Sequence, residues 1–311
     1  MFLVCGEALY DIFTRGTTGP ALTMEAYRGG SPYNVAIGLA RLGADVGFFG
    51  GLSDGPLGEG LRAALKAEGV ATNFSPTKAA LTTLSLVELD AAGSPHYAFY
   101  GQGSADRVLE LADIPPLPDK IKALHFGSFS LVVEPCGETL LRFARQEAGR
   151  RVISYDPNVR MTVERDTARW RTKLAAWLEI ADLVKVSQED LSLLYPGENP
   201  IDVARSWLGH QPALVVVTRG AAGAVALSAA GEFMVGAPDI KMVDAVGAGD
   251  SFQAALLYGL AQAGRFDRAG LRNLSEEQLT KALNLAVAAG AKTCTRAGAD
   301  LPRAAELAEL M

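Results

Sequence analysis

Apolar runs rich in β-branched and aromatic residues recur along the chain, and helical patterns lie between them. The strand-like runs are "FLVCGEAL" (2–9), "VGFFGGL" (46–52), "ALHFGSF" (123–129), "RVISYDPN" (151–158), "ADLVKVS" (181–187) and "ALVVVTRG" (213–220). In the helical stretch "SPYNVAIGLARLG", Val35, Leu39 and Leu42 share one stripe and Gly43 is the stop signal. "LGEGLRAALKAEGV" aligns Leu57, Leu61 and Leu65, and "PCGETLLRFARQEAG" and "DTARWRTKLAAWLEIA" read as further helices. Strands alternating with helices of this length imply crossover units, hence a mostly parallel sheet covered by helices on both faces. The expected fold is therefore α/β, a three-layer sandwich. In such sheets ligands collect beyond the carboxyl ends of the strands.

Two segments break the alternation. "TTLSLVELDAAGSPHYAFYG" (82–101) holds two strand-like runs around the turn-like "AAGS", with no helix between them. Residues 14–28 are short, irregular and end in "AYRGG". Both read as parts of a small β lid, with an ordinary surface hairpin as the alternative. The expected division is 1–13, 29–76 and 104–311 for a large α/β domain, and 14–28 and 77–103 for the lid.

The chain has 311 residues, 49% of them hydrophobic, enough for a sizeable core. A net charge of −6 argues against a nucleic-acid binder, and no block of like charge forms a tail. Cys5, Cys136 and Cys294 are scattered, as are His96, His125 and His210, so neither a disulfide framework nor a zinc site is expected. Glu7 and Asp11 interrupt the first apolar run, which lacks a signal peptide's basic start. No run is long enough for a membrane helix. The expectation is a cytoplasmic protein without membrane or nucleic-acid partners.

The sharpest local feature is "DAVGAGDSFQAALLYGL" (244–260). Phe252, Ala255, Leu256, Gly259 and Leu260 recur at helical spacing, so Gly247, Ala248 and Gly249 sit where that helix begins. A helix start presents unpartnered N–H groups and a positive dipole end, which favour an anion. Asp250 falls in the first turn, either as a plain cap or as a reactive carboxylate.

Other polar constellations occupy comparable places. In "RGGSPYN", Gly29 and Gly30 allow close approach to the main chain, and Asn34 offers donors and an acceptor suited to a polyhydroxyl ligand. Asp11 follows the first strand and could accept two hydroxyl hydrogen bonds. Asp156, Asn158 and Arg160 crowd one strand end, where the arginine suits a phosphate. Lys185 and Ser187 end another strand, and Glu189 and Asp190 open a helix, placed either to order the water shell of Mg²⁺ or to satisfy the helix dipole. Thr218, Arg219, Gly220 and Gly223 form a possible nucleotide edge, or a simple turn into a hairpin. There is no Walker phosphate loop, no dinucleotide-binding glycine fingerprint after the first strand, and no hydrolase elbow.

Taken together and in this order, "GGSPYN" and "DAVGAGDSF" resemble the N- and C-terminal signatures of the PfkB, or ribokinase-like, family of carbohydrate kinases. The resemblance spans nearly the whole chain. "GEALYDIF", "YGQGSADR", "LHFGSFSL", "SYDPNVR" and "LVKVSQEDL" are most similar to the family's bacterial fructokinases. It implies a ribokinase-like sandwich with a closing β lid, and ATP- and Mg²⁺-dependent phosphorylation of a sugar hydroxyl. It further implies that Asp250 is the general base and that the N–H groups of Gly247, Ala248 and Gly249 form an anion hole. Asp11, Gly29, Gly30, Asn34, Tyr97, Phe99 and Arg160 would hold the sugar. Asn158, Lys185, Ser187, Thr218, Arg219, Gly220, Gly223 and Asn284 would line the nucleotide. Glu189 or Asp190 would serve Mg²⁺ through water, and Asp244, Val246 and Gly298 a K⁺ site. A homodimer through the lid is a further expectation.

Two departures from the family pattern stand out. Ala245 replaces the usual threonine, and the Asn-x-x-Glu motif reads Ser187-Gln188-Glu189-Asp190. An alternative substrate is 2-keto-3-deoxygluconate, whose carboxylate would need a cation such as Arg107 or Arg160. A silent sugar sensor on the same fold is the alternative outside the enzymes.

Overall fold

The computed structural model describes residues 1–89, 95–264 and 266–310; the side chains of residues 18, 88, 89 and 95–97 lie outside the described part. In chain order the first strands are β1 (Phe2–Cys5), β2 (Leu9–Thr18), β3 (Ala21–Gly29), β4 (Val46–Phe49), β5 (Leu52–Ser53), β6 (Thr77–Lys78), β7 (Leu84–Leu89) and β8 (Pro95–Tyr100). They are followed by β9 (Ala123–Gly127), β10 (Val152–Asp156), β11 (Leu183–Ser187), β12 (Leu214–Thr218), β13 (Ala224–Ser228) and β14 (Gly231–Val235). The helices are α1 (Ser31–Arg41), α2 (Pro56–Ala67), α3 (Cys136–Glu147), α4 (Thr167–Leu178), α5 (Gln188–Leu194), α6 (Pro200–Ser206), α7 (Ala248–Gln262), α8 (Arg268–Arg272) and α9 (Glu276–Cys294).

Eight strands form the main sheet, in the order β14-β13-β12-β11-β10-β9-β1-β4. From β4 to β12 every pairing is parallel; β13 and β14 extend the sheet as an antiparallel edge. Successive side chains of a strand point to opposite faces, so a strand covered on both sides must be apolar throughout. On β1, Phe2 and Val4 enter one core while Leu3 and Cys5 enter the other. On β12, Leu214 and Val216 part from Val215 and Val217 in the same way. The first core lies under α1, α2, α7 and α9, through residues such as Leu39, Leu61, Leu256 and Leu283. The second lies under α3 to α6, through Phe143, Trp170, Trp177 and Leu191. This is the three-layer α/β sandwich expected from the alternation.

Local details differ from the sequence-based reading. "FLVCGEAL" is not one strand. The chain breaks at Gly6, whose φ is 147° and whose added Cβ would lie 2.4 Å from Pro32 Cγ. Packing of α1 on this glycine turns the chain out of the main sheet and into a second one. Leu57, expected on the α2 stripe, is 42% exposed in the first turn of that helix.

The second sheet has four strands in the order β3-β2-β7-β8. Residues 14–28 are not irregular: β2 and β3 form a long antiparallel hairpin with a bulge between Thr14 and Gly16. Their pattern hid this because Ala21–Arg28 is exposed throughout, so no apolar alternation marks the strand. The sheet starts at Leu9, so it takes in Asp11. The turn expected at 91–94 lies outside the described residues. No helix among the described residues is long and apolar enough to cross a membrane.

Helices α1 and α7 pack closely because Gly38 lacks a side chain. A Cβ there would lie 2.7 Å from Ala254 Cβ and 2.6 Å from Leu301 Cδ2. Gly38→Ala is expected to lower stability by about 1–3 kcal/mol, since overpacking outweighs the roughly 1 kcal/mol of helix propensity gained. Urea denaturation checks this; an unchanged or raised midpoint would show that the helices part without strain.

Candidate active site

Helix α7 begins at a glycine for a backbone reason. Gly247 caps it with φ 78°, and a Cβ there would lie 2.6 Å from Ala299 Cβ. The positive φ and the close neighbour together require glycine. Ala248 N–H donates to the Ala245 carbonyl at 3.2 Å, while the N–H groups of Gly247 and Gly249 have no such bond among the described residues. One residue further, the buried carboxylate of Asp250 points toward α1.

Helix α1 supplies the partners. Gly30 is its cap, with φ 105°, and a Cβ there would lie 2.8 Å from the Glu7 carbonyl oxygen. The first turn then presents Ser31 and Asn34 to Asp250. Ser31 Oγ donates to Oδ1 at 2.6 Å, and Asn34 Nδ2 donates to Oδ2 at 2.8 Å. Burial pushes the Asp250 carboxyl above its ordinary value, while Ser31, Asn34, Lys185 and Arg160 pull it back.

The parallel strands bring further groups alongside. Lys185 Nζ donates to Asp156 Oδ2 at 2.9 Å, an ion pair with both side chains buried. Burial opposes the lysine's charge, but the carboxylates of Asp156, Asp190 and Asp250 outweigh it and hold the ammonium charged. Burial moves the Asp156 carboxyl up to about 6, while the Lys185 ammonium pulls it back toward the anion. A Cβ on Gly249 would lie 3.4 Å from Lys185 Nζ, which puts this cation beneath the start of α7. Ser128 (φ 66°) and Asn158 (φ 39°) follow β9 and β10 in left-handed backbone, a strain that collects at functional sites. The Arg160 guanidinium bonds the carbonyls of Asn158 and Val159 and acts on both Asp11 and Asp250.

The small sheet contributes Asp11, level with Ser85 on β7, which is level with Phe99 on β8. Paired residues share a face of the sheet. Phe99 meets Phe129, just beyond β9, edge-on with ring centroids 5.5 Å apart, so this face turns toward the main domain. Gly29 leaves room for Asp11: a Cβ there would lie 2.5 Å from Oδ2. Burial raises the Asp11 carboxyl to about 6, with Ser85 and Arg160 favouring the anion and Asp250 opposing it. Tyr97 lies on β8 opposite Val87; its side chain is outside the described residues.

Other expected residues divide into groups. Asp244 Oδ1 accepts from Val246 N–H at 3.0 Å and Oδ2 from Gly298 N–H at 2.8 Å, so these three come together. Asp190 and Ser187 form a capping box, and Asp190 Oδ1 also accepts from Val159 N–H at 3.0 Å. Asp190 thus ties α5 to the Asn158–Arg160 turn, whereas Glu189 is exposed. Among the described residues no cluster of three His, Cys, Asp or Glu forms a metal cage. Thr218 ends β12, and Arg219, Gly220 and Gly223 make the turn into antiparallel β13. Asn284 is exposed on α9, the helix packed against β13 and β14. Among the described residues no hydrogen bond or ion pair joins Asn284 or the Thr218 turn to Asp250, whose partners are Ser31 and Asn34.

Three parts of the site went unassigned in the sequence. Ser31 sits inside the "GGSPYN" signature, yet its hydroxyl has no pattern of its own. Glu7 was visible only as an interruption of an apolar run; its Oε1 accepts from Ser31 N–H at 3.3 Å beneath α1. One turn after Asp250, Gln253 Nε2 donates to Ser154 Oγ at 3.0 Å and lies 3.3 Å from His125 Nδ1. Burial, aided by Lys185, pushes His125 down to about 3, so it is a neutral packing group.

This geometry accompanies a match to the pfkB family carbohydrate kinase model over residues 3–305. The chain belongs to that family and is a carbohydrate kinase. It is 38% identical over 283 residues to a fructokinase of Rhizobium leguminosarum bv. trifolii, covering 90% of this chain and 85% of that protein. Its fold is similar to fructokinase with bound ATP from Xylella fastidiosa, with a TM-score of 0.89, 27% identity, and coverage of 99% and 97%. It is also similar to a double mutant of fructokinase from Vibrio cholerae O395 with fructose, ADP and potassium ion bound, with a TM-score of 0.85, 28% identity, and coverage of 99% and 97%.

Glu7 has a consequence for stability. Burial raises its carboxyl to about 7, despite the nearby Ser130 and Ser128 hydroxyls. The folded protein therefore binds this proton more tightly than the unfolded chain. The group's contribution is full below the ordinary value of 4.5 and is lost as pH rises through about 7. Glu7→Gln removes the titration. Its stability relative to wild type should rise by up to about 3 kcal/mol between about pH 5 and about pH 8. Urea midpoints across that range check the sign; parallel curves would refute it.

Proposed function

We propose that the chain is an ATP-dependent fructokinase that transfers the γ-phosphoryl group to the 6-hydroxyl of D-fructose. The observation that carries this reading is the buried Asp250 carboxylate at the start of α7, faced by Ser31 and Asn34 of α1. The fructokinases of Rhizobium, Xylella and Vibrio support the choice of sugar. The fold by itself does not make that choice.

Phosphoryl transfer asks the protein chiefly for positioning and charge stabilisation. Asp250 accepts the proton of the 6-hydroxyl. The sugar oxygen then bonds to the γ-phosphorus as the bond to the ADP oxygen breaks. The N–H groups of Gly247 and Gly249, the positive end of α7 and the Lys185 ammonium face the developing charge, and Ala248 N–H joins them only by leaving the Ala245 carbonyl. Asp11, Gly30, Asn34 and Arg160 hold the sugar, while Tyr97 and Phe99 carry the small sheet over it as a lid. The Thr218–Gly223 turn, Asn158, Ser187 and Asn284 line the nucleotide.

Mg²⁺ would neutralise charge on the transferring phosphates. Held mostly by those phosphates and water, it needs no protein cage, and the exposed Glu189 suits it better than Asp190, whose oxygens already bond backbone. The hydrogen-bonded set of Asp244, Val246 and Gly298 is the candidate K⁺ site. Leu22, Met24 and Tyr27 are 53%, 46% and 46% exposed on edge strand β3, which supports a dimer through the lid. Light scattering should then give twice the chain mass, and a monomer would overturn that arrangement.

The deciding experiment is ADP release from ATP and Mg²⁺, with K⁺, over fructose, 2-keto-3-deoxygluconate, ribose, glucose and no sugar. Strong release with fructose is expected; release only with the keto-acid would reassign Arg107 and Arg160 to its carboxylate. Asp250→Asn should fold normally and lower turnover at least about a hundredfold, since a positioned base typically contributes roughly 10²–10⁴. Near-normal turnover of that variant would remove Asp250 from its role.

A further inference from the structure

Ser31 carries an inference beyond sugar and nucleotide binding, resting on the reading of Asp250 as the base. Ser31, Asn34 and Asp250 are 7%, 7% and 9% exposed, so their hydrogen bonds are shielded from solvent. Ser31 has a single hydroxyl proton, and at 2.6 Å it is directed at Asp250 Oδ1. Asn34 covers Oδ2 at 2.8 Å. Hydrogen bonds to an ionised carboxylate are strong, and they favour the anion over its protonated form. Both oxygens of the base are therefore engaged by α1.

A sugar and a water molecule compete unequally with these bonds. The sugar is held at its other hydroxyls, and that remote binding energy drives its reacting hydroxyl onto the carboxylate. A lone water brings no such energy. Ser31 Oγ fills one of the two lone-pair positions on Oδ1, and a water that takes that position must displace it. We propose that Ser31 is a positioning residue that keeps Asp250 from activating water until the sugar hydroxyl arrives. The reaction it suppresses is hydrolysis: water yields its proton to Asp250, its oxygen bonds to the γ-phosphorus, and the bond to the ADP oxygen breaks.

The test compares ADP release from ATP and Mg²⁺ without sugar in wild type, Ser31→Ala, Asp250→Asn and the double variant. Ser31→Ala is expected to raise sugar-free release about tenfold or more, a small part of what a positioned base contributes. The double variant should lose that gain, which a merely loosened fold would not. Ser31→Cys keeps the volume with a weaker donor and should show a smaller rise, so the test survives if the alanine variant folds poorly. Sugar-free release that stays at the wild-type level in both Ser31 variants overturns the proposal, even where Asp250→Asn abolishes transfer. Near-normal transfer by Asp250→Asn instead sinks the base assignment beneath it.

Discussion

Two helices from opposite ends of the chain meet across one carboxylate. Ser31 and Asn34 lie 219 and 216 residues from Asp250, yet all three form one buried hydrogen-bonded unit. An unpartnered carboxylate in such a place would be driven to protonate. The donors on α1 and the cations Lys185 and Arg160 oppose that protonation. This contact sets strict terms on what surrounds it. Gly38 must be bare for α1 to reach α7, and Gly6 must be bare for Pro32 at the head of α1 to settle on the end of β1. Gly247 must adopt a left-handed backbone to aim the start of α7.

The parallel sheet does the rest of the gathering. Since β1 and β9 to β12 run the same way, their carboxyl ends open on one side. Glu7, Ser128, Asp156 and Lys185 collect there, on or just beyond four different strands, although they are far apart in sequence. The cluster is electrostatically tight: Lys185 is buried among Asp156, Asp190 and Asp250, and its ammonium favours the anions of both Asp156 and Asp250. Such a shared cation couples the start of α7 to the strands below it. Gln253, bonded to Ser154, anchors α7 to the sheet one turn further on.

Much of this was legible before any coordinates. Strands buried on both faces must be apolar at every position, so their runs stand out, and the helices between them carry clear stripes. The glycines of "GGSPYN" and "DAVGAGD" mark real backbone demands, at Gly30 and Gly247 above all. Residues 14–28 were read as part of a β lid, but the regular pairing of β2 with β3 was not legible, because Ala21–Arg28 is exposed throughout and shows no alternation. The double role of Asp190, capping α5 and holding Val159, was equally hidden: a cap and a metal-facing carboxylate look alike in one dimension. Ser31 and Glu7 are ordinary residue types whose meaning depends on what faces them.

The alternation of strands and helices, the layered α/β class and the tight turns at Gly30 and Gly247 followed from the chain alone, because periodicity and glycine placement are local properties. Which polar groups meet did not. The hydroxyl of Ser31 on Asp250, the ammonium of Lys185 beneath Gly249, and Asp11 turned toward the main domain are contacts between distant segments. Hydrogen bonding and charge pairing act over a few ångströms, and only the packed sheet and its helices bring those segments within that range.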